Sequence, residues 1–217
     1  MVFDLDNTLY QAESGMFDQM DYNINQFVSQ RLGISWREAN ILRVRYWRDY
    51  GTTLTGLMRH HAVDPEPFLH AAHNFEIDNL ININSALNKL IQAIPARCII
   101  HTNGTVEHAE RVLDRLGIRH HFHTIYDIRF NHYQSKPCSN TLALLLAAES
   151  ATPSDTLVID DMADNLRAAA NIGCRTALIG ATNPSPAFDY CAQEIRELLR
   201  QLLQEFTDST DQSPKFH

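Results

Sequence analysis

VFDLDNTLY, residues 2–10, is the stretch on which the reading of the fold turns. The apolar start VFDL reads as a short buried strand that ends on two aspartates, Asp4 and Asp6. Like charges so close repel one another. On an extended segment, residues i and i+2 project to the same side, so the conflict is not relieved by pointing the two carboxylates apart. A bound cation, or a reaction that uses both acids, would resolve it.

Working outward, the pattern after residue 93 alternates between short apolar runs and helical periodicity. ARCIIHT (96–102), HTIYDI (123–128), DTLVIDD (155–161) and CRTALIG (174–180) read as strands. VEHAERVLDRLG (106–117), SNTLALLLAAES (139–150), ADNLRAAANIG (163–173) and AFDYCAQEIRELLRQLLQEF (187–206) read as helices. Alternation of this kind implies crossover connections and a parallel sheet flanked by helices. Between the first strand and this array, residues 13–92 show helical periodicity with few β-branched residues. Ser35 with Glu38 forms a capping-box pattern, Gly33 and Gly51 stand where helices should stop, and Pro65 suits a helix start. The expectation is an α/β core from 1–12 and 93–206, an all-helical insert of about five helices over 13–92, and a disordered polar tail over 207–217.

The chain has 217 residues, 44% of them apolar, enough to bury a core. Its formal charge of −8 disfavours nucleic-acid polymers and anionic membrane surfaces. A small anionic substrate stays compatible if a cation offsets the charge at the site. The four cysteines, Cys98, Cys138, Cys174 and Cys191, are widely spaced with no C-x-x-C pair. That fits a reduced, cytoplasmic protein. No basic-then-apolar leader and no run of 18 apolar residues is visible. Strand residues begin at Met1, so a few residues upstream are open to addition. Oligomeric state is not legible.

In a parallel α/β sheet, ligands bind beyond the carboxyl ends of the strands. Asp4 and Asp6 follow the first strand, Thr102 and Asn103 the second, Lys136 lies in the loop after the third, and Asp160 and Asp161 close the fourth. Together they suit a phosphate monoester. Asp4, Asp6 and Asp161 offer hard oxygen ligands to Mg²⁺. Lys136 supplies a compact positive charge, and the Thr102 hydroxyl with the amides of Asn103 and Gly104 supplies donors to phosphate oxygens. One aspartate can attack phosphorus to form an aspartyl-phosphate, while its neighbour protonates the departing alkoxide and later deprotonates water. Burial and nearby negative charge are expected to raise the pKa of that second carboxyl.

These residues resemble the haloacid dehalogenase (HAD) superfamily of aspartate-nucleophile phosphatases. Asp4-Leu5-Asp6-Asn7-Thr8 matches the family's Asp-x-Asp-x-Thr motif, CIIHTNG with Thr102 the second, Lys136-Pro137 the third, and Asp160-Asp161 with Asp164-Asn165 the fourth. The resemblance implies a Rossmann-like parallel-sheet core with an inserted helical cap, Asp4 as nucleophile and Asp6 as general acid/base. It also implies Mg²⁺ held by Asp4, Asp161 and the Asp6 carbonyl, with Asp160 bound directly or through water. Dehalogenases of the superfamily lack the second aspartate, so Asp6 argues for phosphoryl chemistry. PCSNT after Lys136 departs from the common Pro-x-Pro, and Asp160 stands where many relatives carry Glu. Tyr50-Gly51, Thr53, Gly56-Leu57 and His61-Ala62-Val63-Asp64-Pro65, with HTNG, are similar to the pyrimidine 5′-nucleotidase branch. The function implied is a Mg²⁺-dependent phosphatase for a small phosphorylated metabolite, in the first place a pyrimidine nucleotide. Phosphoglycolate, a sugar phosphate, or a silent regulatory protein on the same fold are the alternatives.

Other residues invite plainer readings. His120, His121 and His123 lack partners with metal-ligand spacing and suit a helix end. His101 alternates away from Thr102, toward packing. Trp36, Tyr46 and Trp47 read as cap core; Tyr50, Arg45, Arg48 and Arg59 are candidates to face a nucleotide, with no signal of which do, and His60 and His61 lie in the cap, where a role outside the pocket is the plainer reading.

Overall fold

The computed structural model describes residues 1–11 and 14–211. Its strands are β1 (Val2–Phe3), β2 (Cys98–His101), β3 (Phe122–Tyr126), β4 (Leu157–Asp160), β5 (Arg175–Ile179) and β6 (Tyr190–Ala192). They form one sheet in the order β3-β2-β1-β4-β5-β6, with every pairing parallel. The shortest strand, β1, therefore lies between β2 and β4, and its carboxyl end is flanked by theirs.

Alternation along the strands builds two cores. Phe3, Ile100 and Ile159 face one side, where they meet α5 (Ser85–Ala93), α6 (Val106–Leu116) and α9 (Ile195–Asp211) through Leu87, Val112 and Leu198. Val2, Ile99 and Val158 face the other side, against α7 (Ser139–Ala148) and α8 (Ala163–Asn171) through Leu145 and Leu166. The insert contributes α1 (Met16–Leu32), α2 (Trp36–Tyr50), α3 (Thr53–His61) and α4 (Pro65–His73) as well as α5. Val28, Tyr46, Leu57 and Phe68 make its own core, joined by Ile128 from beyond β3.

The local signals are realised. Ser35 and Glu38 form the full capping box, Asp64 caps α4 ahead of Pro65, and Gly33 and Gly51 end α1 and α2 with φ of 65° and 82°. Gly56 is required by packing: a Cβ there would lie 2.2 Å from Tyr46 Cγ. It lets α3 rest on the α2 tyrosine.

Three differences from the sequence reading have physical causes. Helix α5 lies inside the stretch 13–92, yet its Leu87 and Ile91 are buried in the sheet's core and not with α1–α4. Each such side chain contributes about 1.5–3 kcal/mol on burial, so the helix is anchored to the sheet. The helix read from residue 187 starts at Ile195, and Tyr190–Ala192 is a sixth strand. Asp189 explains this: its Oδ2 accepts from the Thr176 amide (2.8 Å) and hydroxyl (3.1 Å), pinning the segment beside β5. Finally, α9 runs to Asp211, so residues 207–211 are helical where a tail was expected; 212–217 lie outside the described residues.

No helix among the described residues is long and apolar enough to cross a membrane. All four cysteines are unpaired.

Candidate active site

The loop after β1 turns sharply at Asn7, which adopts a left-handed φ of 63°. Asn and Asp tolerate this conformation better than other non-glycine residues. The turn brings the Thr8 hydroxyl back to donate to Asp4 Oδ2 at 3.0 Å and sends Asn7 Nδ2 to Asp161 Oδ2 at 2.7 Å. Lys136 is buried in the middle. Its Nζ donates to Asp4 Oδ1 (2.6 Å), to the His101 carbonyl (2.8 Å) and to Asp160 Oδ2 (2.9 Å). Four loops widely separated in sequence thus meet on one ammonium and three carboxylates.

The three acids are not equivalent. Asp160 accepts from the Met162 amide (2.8 Å) and from Asn165 Nδ2 (2.9 Å to each oxygen) besides Lys136. Its oxygens are filled by donors, which suits a group that holds the lysine. Asp4, Asp160 and Asp161 each place a carboxylate oxygen within 4.8 Å of the others, the one such acidic group among the described residues. Three carboxylates against one ammonium leave a surplus negative charge in a buried pocket. Hard oxygens converging with that surplus fit a hard divalent cation. The electrostatics agree. Burial pushes the Asp4 carboxyl up, Lys136 opposes it, and Asp160, Asp161 and Asp6 add to it, leaving Asp4 at about 8 without a cation. Burial also raises Asp161. Burial disfavours charge on Lys136, but Asp160 and Asp4 outweigh it and raise its pKa.

Asp6 corrects the expectation of a raised pKa. Burial does push it up, but the electrostatic pull and hydrogen bond of His108, with the Tyr10 hydrogen bond, outweigh burial and hold it at about 2. His108 Nε2 lies 2.9 Å and Tyr10 OH 2.5 Å from the same oxygen, Oδ1. Sequence reasoning missed both partners.

Thr102 and Asn103 sit where the sequence places them, at the end of β2, but their side chains are engaged internally. Thr102 Oγ1 accepts from the Gly104 amide at 2.9 Å, so that amide is taken up inside the loop. Asn103 Oδ1 accepts from the Lys136 amide (2.8 Å) and its Nδ2 donates to the Lys136 carbonyl (3.4 Å). Asn103 therefore braces the lysine loop.

A cavity of about 480 Å³ opens beside Asp6, between α1–α4 and the loops after β1 and β2. Its walls are largely apolar, with Phe17, Ile24, Trp47 and Phe68 among them, and its polar groups include Asp21, Arg43 and His73. Arg43 Nη1 donates to Asp21 Oδ1 at 2.5 Å. Trp47, read as cap core, is 53% exposed and lines this space. The cap groups named from the sequence are engaged elsewhere. Tyr50 OH pairs with His60 Nε2 (2.6 Å), Tyr46 OH with His61 Nε2 (2.8 Å), and Arg48 Nε with Asp49 (2.9 Å). The Arg45 and Arg59 guanidinium groups lie over the Tyr46 and Tyr50 rings. His101 is buried on Asn131, and His121 bonds Asn88.

A parallel sheet with an acid-and-lysine pocket at its carboxyl edge and a helical insert over it defines a hydrolase of the haloacid dehalogenase type. The chain belongs to the haloacid dehalogenase-like hydrolases, whose family model matches residues 1–173. Among solved structures it is similar to a HAD phosphatase from Thermococcus onnurineus (15% identity, 93% of this chain and 96% of that one, TM-score 0.64). It is also similar to the magnesium-bound HAD-hydrolase YfnB from Bacillus subtilis (15%, 93% and 96%, TM-score 0.60). A third is an L-2-haloacid dehalogenase from Xanthobacter autotrophicus with chloropropionic acid covalently bound (14%, 93% and 96%, TM-score 0.58).

Proposed function

We propose that this protein is a Mg²⁺-dependent phosphatase that hydrolyses small phosphate monoesters through an aspartyl-phosphate on Asp4, with a pyrimidine nucleoside 5′-monophosphate as its first-choice substrate. The observation that carries the reading is Asp6, a second carboxyl beside the nucleophile and on the cavity wall. Halide leaves carbon without needing a proton, whereas an alkoxide leaving phosphorus needs one. An acid at this place serves the second reaction.

Asp4 attacks phosphorus, and Lys136 holds both Asp4 and the phosphate charge. Asp160 and Asn103 hold Lys136. Asp6 protonates the departing oxygen, then takes the proton of the water that cleaves the intermediate. In the ligand-free pocket Asp6 is ionised; a phosphate dianion beside it acts against the donors on Oδ1 and raises its proton affinity. A divalent cation would be held by Asp4, Asp161 and the Asp6 main-chain carbonyl, and would supply neutralisation of the phosphate.

The cavity supports a nucleotide. Its apolar walls and half-exposed Trp47 suit a flat ring, and the Arg43–Asp21 pair offers a donor and an acceptor to its edge. Phosphoglycolate or a sugar phosphate would leave those walls unfilled. The intact acid set weighs against a silent regulatory protein. The nucleotidase-like residues serve as scaffold: Gly51, where a Cβ would lie 3.2 Å from the Lys136 carbonyl, Gly56 under Tyr46, and Asp64 capping α4.

The test is hydrolysis of p-nitrophenyl phosphate with and without Mg²⁺, followed by a panel of UMP, CMP, dTMP, AMP, phosphoglycolate and sugar phosphates. Metal-dependent turnover, a loss of at least ~10³-fold in Asp4→Asn, and a tenfold preference for pyrimidine nucleotides are expected. Undiminished turnover in Asp4→Asn would overturn the mechanism, and a preference for another ester the substrate.

A further inference from the structure

The ring of His108 is wholly buried, with no side-chain exposure. It is the third residue of α6, whose N-cap Thr105 accepts from the His108 amide. Its Nε2 is 2.9 Å from Asp6 Oδ1, the oxygen that Tyr10 OH also reaches. Its Nδ1 is buried with no partner, although buried polar atoms are nearly always paired. One face of the ring stacks on His73, with centroids 4.4 Å apart. His73 Nδ1 is 2.9 Å from the Leu69 carbonyl of α4, and His73 lines the cavity. Asp6 Oδ2 lies near Gly104, 3.7 Å from the place a Gly104 Cβ would take, a place itself 3.3 Å from His108 Cδ2 and from Thr102 Oγ1. Gly104 is part of the same cavity wall.

We propose that His108 is a positioning residue: with Tyr10 it fixes Asp6 through Oδ1, so that Oδ2 is the oxygen presented to the leaving group. This rests on the role given to Asp6 under Proposed function. The proton used in the reaction sits on Oδ2, so Oδ1 accepts whether the carboxyl is charged or neutral, and the bonds from Tyr10 OH and His108 Nε2 both run toward it. In the first half-reaction the bond from Asp4 to phosphorus forms as the ester P–O bond breaks. The electron pair stays on the departing oxygen, which takes the proton from Asp6 Oδ2. In the second, water attacks phosphorus and gives its proton to Asp6 Oδ2, and the pair of the broken bond returns to Asp4. A carboxyl free to rotate would offer the proton along the wrong direction for part of the time. The unpaired Nδ1 is what remains when a ring is kept for its other nitrogen.

The experiment compares kcat/KM for p-nitrophenyl phosphate, whose leaving group departs without help, and ethyl phosphate, whose alkoxide needs a proton. The proteins are wild type, Asp6→Asn, His108→Phe and His108→Gln, all with Mg²⁺. Phenylalanine keeps a ring against His73 and loses the donor; glutamine restores an N–H near Nε2. Both substrates should suffer in His108→Phe, ethyl phosphate at least ~10-fold more than the aryl ester, since acid catalysis is worth about 10²–10⁴-fold. His108→Gln should recover most of that difference. If phenylalanine does not fold, as judged by melting and by the aryl ester, His108→Leu takes its place. Equal losses on the two esters, or a glutamine variant no better than the donorless one, overturn the inference while a selective loss in Asp6→Asn leaves the acid role standing. Absence of a selective loss in Asp6→Asn overturns both.

Discussion

Replacing Lys136 by methionine keeps the length and apolar stem of the side chain and removes its charge. The structure sets the size of the effect. The lysine is 7% exposed and makes three bonds of 2.6–2.9 Å, two of them to the buried carboxylates of Asp4 and Asp160. Breaking a buried ion pair by removing one partner costs about 3–5 kcal/mol, because the other charge is left uncompensated. For a chain of this size, 1 kcal/mol moves Tm by about 2–4 °C, so a fall of about 6–20 °C is expected for the metal-free protein at pH 7.5. Mg²⁺ should restore part of the stability by bringing positive charge to the same pocket. On the proposed mechanism it should not restore activity, since Lys136 would be the donor to phosphate; kcat/KM should drop about 10²–10³-fold. Thermal melts followed by circular dichroism, with and without Mg²⁺, check this. A variant melting within about 2 °C of wild type at pH 7.5 would refute the claim that Lys136 neutralises buried charge.

Three further outcomes follow from the same geometry. Asp4 is raised from 3.8 to about 8 in the metal-free fold, so the fold binds its proton more tightly than the unfolded chain does. Stability from this group is full below the unfolded value and is lost as pH rises through about 8; Mg²⁺ held as proposed would displace that proton, so its gain in Tm should be larger at pH 8 than at pH 5, and equal gains would contradict it. Asp6 runs the other way, its share being lost only as pH falls from 3.8 through about 2, well below that window. Gly56→Ala forces a Cβ to within 2.2 Å of Tyr46 Cγ and should destabilise by about 1–3 kcal/mol, read by urea unfolding. Trp47→Ala should raise KM for a nucleotide with little change in kcat for p-nitrophenyl phosphate, because the side chain lines the cavity away from the three clustered acids; steady-state kinetics on both esters decide.

Most of the pocket is legible in the sequence because its acids and lysine sit in or just beyond strand ends, where topology, not local conformation, decides what meets. The apolar run before Asp4 and the run before Asp160 suffice to place them. His108 was missed because VEHAERVLDRLG reads as an ordinary amphipathic helix. One signal was available: the residue falls on the buried stripe of Ala109, Val112, Leu113 and Leu116, and an imidazole on an apolar stripe needs a partner. Nothing local marks Arg43 and Trp47 as cavity residues and Arg45 and Arg48 as outsiders, since helix α2 is polar on most of its surface and its rotation is set by α1 and α3. Strand β6 was read as helix because three residues carry no usable period, and its pairing depends on Asp189 reaching across to Thr176.

Strand β1 is two residues long and lies between β2 and β4. During synthesis Asp4 and Asp6 therefore emerge before either of the strands that flank them. The lysine that bonds Asp4 is 132 residues further on, and Asp160, which shares it, is later still. During translation the two leading aspartates can hold a cation only as weakly as any exposed pair of carboxylates. The pocket is complete only when β4 lies against β1, so a fragment stopped before Asp160 should be unable to carry out the proposed hydrolysis.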